Sequence, residues 1–168
     1  MLRYTVGVDH PDQVVRAARR VVDKMTARGW SMESAHHSYH PGSRYKGLHF
    51  FLRGHGQVIE IQVHSRQSIA VKETTTEPYE IFRDETRSRS EQNAAMDECI
   101  RHSEPMIQPA GIDTLKDLGG VPVELRRYGR RPEKSPRSVE GEASRKQDRR
   151  PQPPHRRRDN DGRDGIGR

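Results

Sequence analysis

The chain has 168 residues, of which 30% are hydrophobic and 33% charged, and it carries a formal net charge of +7. So small an apolar share cannot bury the whole length, and one small folded domain with an unpacked remainder is expected. The single Cys99 excludes an internal disulfide, and no apolar run approaches the ~20 residues of a membrane span, so a reducing, cytoplasmic setting without a membrane is expected.

In chain order, Leu2 to Val8 reads as a strand, and Pro11 suits the first turn of a helix. Val14, Ala18, Val21, Val22 and Met25 then form a helical stripe that stops at Gly29. Ser31 to Tyr39 reads as a strand, followed by strands over Tyr45–Arg53 and Gln57–Ser65. Helical patches follow at Gln67–Thr74, from the Pro78 start to about Asp84, and over about Ser90–His102. Gly111 to Leu125 is ambiguous between a short helix and an extended piece. This order predicts an α/β domain of two layers, a small mixed sheet of about four strands with helices on one face. The folded domain is expected over 1–105, with 106–125 as a peripheral segment and 126–168 as a disordered basic tail.

The middle strands carry the most information. Leu48, Phe50 and Leu52 share one parity, and Ile59, Ile61 and Val63 form the apolar set of the next strand. The two sets meet on one face only if the hairpin loop has an even number of residues, as Gly54-His55 or His55-Gly56 would give. That register puts Tyr45, Gly47 and His49 beside Glu60, Gln62 and His64 on the opposite face. Glu60 sits between apolar neighbours, where a carboxylate is costly unless it has a task.

Tyr45-Lys46-Gly47-Leu48-His49 resembles the G-Y-x-S-x-H segment of the RelA/SpoT family of (p)ppGpp synthetases, and Glu60-Ile61-Gln62-Val63-His64 resembles its E-I-Q-I/V-R segment. Arg3-Tyr4-Thr5-Val6 is similar to the end of the family's first strand, and the His-Ser ending, Lys72 and Tyr79-Glu80 are closer to toxin and phage-associated members. The resemblance implies a nucleotidyltransferase-like fold and transfer of pyrophosphate from ATP to the 3′ hydroxyl of GDP, GTP or a related acceptor. It implies that Tyr45 stacks on guanine and that Glu60 serves Mg²⁺ and the acceptor hydroxyl. Arg3, Lys46, His49, Gln62 and His64 would contact the substrates, and Lys72 and Arg83 are candidate phosphate contacts.

The departures matter as well. The family's magnesium-binding aspartate precedes the arginine that Arg3 matches, and the sequence starts at Met1, so an N-terminally incomplete domain is expected. Arg44 replaces the family's glycine, and His64 replaces its arginine, which makes phosphate contact there weaker and pH-dependent. A catalytically incomplete module that binds a guanine nucleotide or a neutralising protein partner is the alternative. His36, His37, His40, His49 and His64 invite a zinc reading, but no cysteine pair accompanies them.

Charge is unevenly placed. Residues 126–168 hold 15 Lys and Arg against 7 Asp and Glu, a net of +8, whereas residues 1–125 have a net of −1. The tail, with Arg156, Arg157 and Arg158, could contact RNA, the ribosome or tRNA through phosphate, but no aromatic residues are interleaved to read bases.

Overall fold

Alternation along two neighbouring strands organises the domain. In the computed structural model, which describes residues 1–129, β3 (Leu48–Gly54) and β4 (Gln57–Ser65) pair antiparallel, with Leu48 opposite Val63, Phe50 opposite Ile61 and Leu52 opposite Ile59. The connecting loop is His55-Gly56, the second of the two even-numbered alternatives. Both residues have positive φ, 51° and 73°, as a two-residue turn matched to the strand twist requires.

The sheet is mixed and has six strands rather than four, in the order β1-β4-β3-β2-β6-β5. β1 (Leu2–Val8) lies parallel to β4, and β2 (Ser31–His37) lies antiparallel to β3. The ambiguous segment supplies the two extra strands. β5 (Asp117–Leu118) and β6 (Val121–Leu125) form a hairpin, and β6 lies parallel to β2. A sequence window could not reveal this, because the partner of β6 is some 88 residues earlier in the chain, Ala35 against Val123.

Four helices complete the described region. α1 (Val14–Thr26) follows a single turn at Pro11–Gln13 and buries Val14, Val15, Ala18 and Val22. These side chains join Leu48, Phe50, Leu52, Ile59, Ile61 and Val63 in one core. Fully burying each such side chain is worth about 1.5–3 kcal/mol, so this layer dominates the domain's stability. α2 (Arg66–Thr74), α3 (Thr76–Arg83) and α4 (Arg89–Ser103) follow β4. α4 starts with a capping box in which Ser88 Oγ accepts from Glu91 N–H and Glu91 Oε2 accepts from Ser88 N–H.

Two expectations need correction. The helices are not confined to one face: α1 covers the apolar side, while Lys72, Thr75, Thr76, Tyr79 and Cys99, from α2 to α4, wall a pocket over the polar side. The stretch 106–125 is not peripheral, because Met106, Ile112, Leu115 and Leu118 are core residues. The expected tail lies outside the described residues from position 130 onward. Among the described residues no helix is long and apolar enough to cross a membrane.

Candidate functional site

The polar side of the sheet holds a buried carboxylate with every oxygen engaged. β1 and β4 run in register, so Arg3 stands opposite Glu60, and the Arg3 Nε–H donates to Glu60 Oε2 at 2.6 Å. Glu60 Oε1 accepts from Gln62 Nε2 at 2.8 Å and from His49 Nδ1 at 2.9 Å. Burial alone would push the Glu60 carboxyl up; the hydrogen bonds from Gln62, Arg3 and His49 and the Arg3 charge outweigh that and hold it at about 2.

From His49 the bonding continues through Tyr45. The Tyr45 hydroxyl lies 2.9 Å from His49 Nε2 and 2.8 Å from His64 Nε2, and His64 Nδ1 lies 3.1 Å from Ser68 Oγ. Burial lowers both imidazoles, His64 to about 4, so both are neutral at pH 7. With neutral imidazoles and an ionised Glu60, the proton arrangement of the bridge follows from Glu60, which can only accept. His49 Nδ1–H donates to Glu60, Tyr45 donates to His49 Nε2, and His64 Nε2–H donates to the Tyr45 oxygen, while the Ser68 hydroxyl, beside His64 Nδ1, donates to the Ser65 carbonyl at 3.0 Å. The tyrosine ring is thereby fixed in position before any ligand arrives.

Gly47 makes this bridge possible. A Cβ at Gly47 would stand 2.9 Å from His49 Nε2 and 2.9 Å from His64 Cε1, so any side chain there displaces both rings.

Above this layer lies a cavity of about 390 Å³, within the ~300–1,000 Å³ typical of small-molecule sites. Its lining includes Arg3, Arg44, Lys72 and Arg126, with Glu60 as the only carboxylate among the described residues. Arg44, Lys72 and Arg126 form no ion pair among the described residues. The Arg44 guanidinium instead sits 4.5 Å from the centre of the Tyr79 ring and 5.4 Å from that of Tyr128, which places it without neutralising it. The Arg44 N–H donates to the Tyr128 carbonyl at 3.0 Å and ties the two walls together.

Of the residues singled out from the sequence, Arg3, Tyr45, His49, Glu60 and Gln62 line this cavity. His64 is fully buried and reaches the cavity only through Tyr45. Lys46 is not brought there: it is buried, and its Nζ donates to the Glu104 carbonyl at 3.5 Å, because its parity is opposite to that of Tyr45. Lys72 joins the lining, whereas Arg83 does not and lies over the Tyr79 ring at 5.5 Å. Tyr45 and Gly47 precede the strand, which starts at Leu48 rather than Tyr45. Sequence reasoning missed His36, Arg126 and Tyr128 as lining residues. A tyrosine after two arginines, Arg126-Arg127-Tyr128, was the available hint.

Among the described residues, Glu60 is the sole carboxylate that lines the pocket, Arg3 already bonds it, and no group of three His, Cys, Asp or Glu side chains could hold an ion. No protein-family model matches the chain, and neither curated proteins nor solved structures give a match.

Proposed function

We propose that residues 1–129 are a nucleotide-binding domain of the RelA/SpoT-synthetase kind, nucleotidyltransferase-like in fold, that takes a guanine nucleotide in the pocket over Glu60. One observation carries the reading: Arg44, Lys72 and Arg126, free of ion pairs among the described residues, gather with Tyr45, Tyr79 and Tyr128 around one neutralised carboxylate. Unpaired cations attract phosphate, and aromatic faces take a base. The guanine preference rests on the resemblance of the Tyr45 and Glu60 segments. A cytoplasmic setting belongs to the same proposal and rests on the lone cysteine.

The second reading is a nucleotide 3′-pyrophosphokinase, which transfers pyrophosphate from ATP to GDP, GTP or a related acceptor. The buried Glu60 beside His49 favours it, since a ribose hydroxyl needs a nearby proton acceptor. No step is assigned to Mg²⁺, because the described residues that line the pocket include no second carboxylate. RNA, ribosome or tRNA contact through the basic segment, and a neutralising protein partner, remain separate proposals.

Titration with GDP decides the first reading. Saturable binding is expected, and Tyr45→Ala should weaken it by about 1–3 kcal/mol. No saturation at millimolar GDP rejects it. Product formed from ATP and GDP, and lost in Glu60→Gln, would establish the second reading; turnover that survives this change removes Glu60 from the chemistry. Salt-dependent RNA affinity that is unchanged after deletion of 126–168 would dismiss the role given to the tail.

A further inference from the structure

Gln62, His49 and His36 stand side by side on β4, β3 and β2 and form one row across the polar face. His49 is fully bonded, but its two neighbours are not. Glu60 is ionised and can only accept, so the Gln62 amide must turn its Nε2 toward Glu60, which leaves Gln62 Oε1 buried without a partner among the described residues. His36 is 2% exposed, and neither ring nitrogen has a partner among the described residues. Its ring is held 5.0 Å from that of His49 and stacked at 6.1 Å on Phe51.

Buried polar groups without partners cost about 1–3 kcal/mol each, and folded proteins keep few of them without a reason. His37, Tyr39 and His40 also carry unpartnered atoms, but none of them lines the pocket. A depression of about 520 Å³ between α1 and the β5–β6 hairpin, lined by Arg19, Asp23, Lys116 and Asp117, has no unpartnered buried group. Among the described residues, His36 and Gln62 alone combine the two properties.

We propose that His36 and Gln62 form a hydrogen-bonding floor that reads an uncharged edge of the bound molecule, while Arg44, Lys72 and Arg126 hold its anionic end. Gln62 Oε1 can only accept, so the ligand presents an N–H or O–H there. His36 is neutral, offering one N–H and one lone pair, so the ligand places a second polar atom of either kind against it. A ribose diol and the Watson–Crick edge of guanine share this chemistry. Only the ligand's name rests on the nucleotide reading; the floor itself does not.

Two measurements on the full chain test this. Without ligand, His36→Phe and His36→Leu should raise the thermal midpoint, because each removes an unsatisfied group from the protein interior; a lowered midpoint in both overturns the proposal. With ligand, GDP, 2′,3′-dideoxy-GDP and inosine diphosphate are titrated into wild type, His36→Phe and Gln62→Met. Each variant should bind GDP about tenfold more weakly. The variants should also lose the wild-type preference for GDP over one of the analogues: the dideoxy arm assigns the floor to ribose, and the inosine arm assigns it to the base. Equal GDP binding by all three proteins refutes the floor and leaves the nucleotide reading intact. No GDP binding by any of them, with both unliganded His36 variants stabilised, supports the floor and rejects the nucleotide.

Discussion

The two faces of the sheet are built by the same strands, one residue out of phase, and they are held together by different physics. On the α1 side, Leu48, Phe50 and Leu52 face Val63, Ile61 and Ile59. These contacts are non-directional, so a residue of similar size and polarity would serve as well. On the other side, Arg3, Glu60, His49, Tyr45 and His64 are joined by bonds of 2.6 to 2.9 Å, each with its donor fixed. No isosteric apolar replacement satisfies such a row. Stability is concentrated on the first face and geometric definition on the second.

Substitutions can separate these roles. Phe50→Ala on the apolar face should have the largest effect, lowering unfolding free energy by about 3–5 kcal/mol in a denaturant titration. A loss below about 1 kcal/mol would mean that the core collapses around the gap. Tyr45→Phe on the polar face should cost less, about 1–3 kcal/mol, because His49 Nε2 and His64 Nε2 lose their shared partner. An unchanged midpoint in that variant would show that the bridge is not formed in solution.

Acid should erode the polar face selectively, in two windows. His36 and His64 are held at about 4 against the ordinary 6.5, so the unfolded chain takes up those protons first, and stability declines as pH falls from 6.5 to about 4. Glu60 is held at about 2 against 4.5, so its contribution is complete above 4.5 and is lost as pH falls through about 2. Urea midpoints across both windows should fall in sequence; Glu60→Gln should flatten the lower one and His36→Phe should reduce the upper. A curve with the same slope in wild type and both variants would contradict these assignments. The smallest effect is expected for Arg66→Ala, since the Arg66–Asp9 pair at 2.7 Å is largely exposed on both sides. A measurable loss there would mean that surface pairing contributes more than the comparison of faces allows.

Strict alternation made the β3–β4 hairpin, its even loop and the grouping of His49, Glu60 and Gln62 legible in the sequence. The α1 stripe was legible for the same reason. β2 was harder, because the register shifts between Met32 and Ser34, so parity counted from Met32, opposite the core residue Leu52, puts His36 on the core face, whereas it pairs with His49 on the polar one. The α4 start carried a readable signal in Ser88 and Glu91, three residues apart, yet the helix was placed from about Ser90. Tyr128 and Arg126 were out of reach, because long-range pairing brings them to the pocket: β6 docks on β2, and Tyr128 binds Arg44. The helices around the pocket were misjudged because an amphipathic stripe tells that a helix packs, but not against which face.

The missing side chain at Gly47 has a consequence for recognising kindred proteins. An aromatic residue at position 45 and an acidic one at position 60 do not by themselves specify the bridge that joins them through His49. The empty space at Gly47 is a stricter criterion, since even a methyl group at 2.9 Å from two imidazoles would part them. A sequence that carries the tyrosine, both histidines and the glutamate but has alanine at this position must move these rings to keep the bridge.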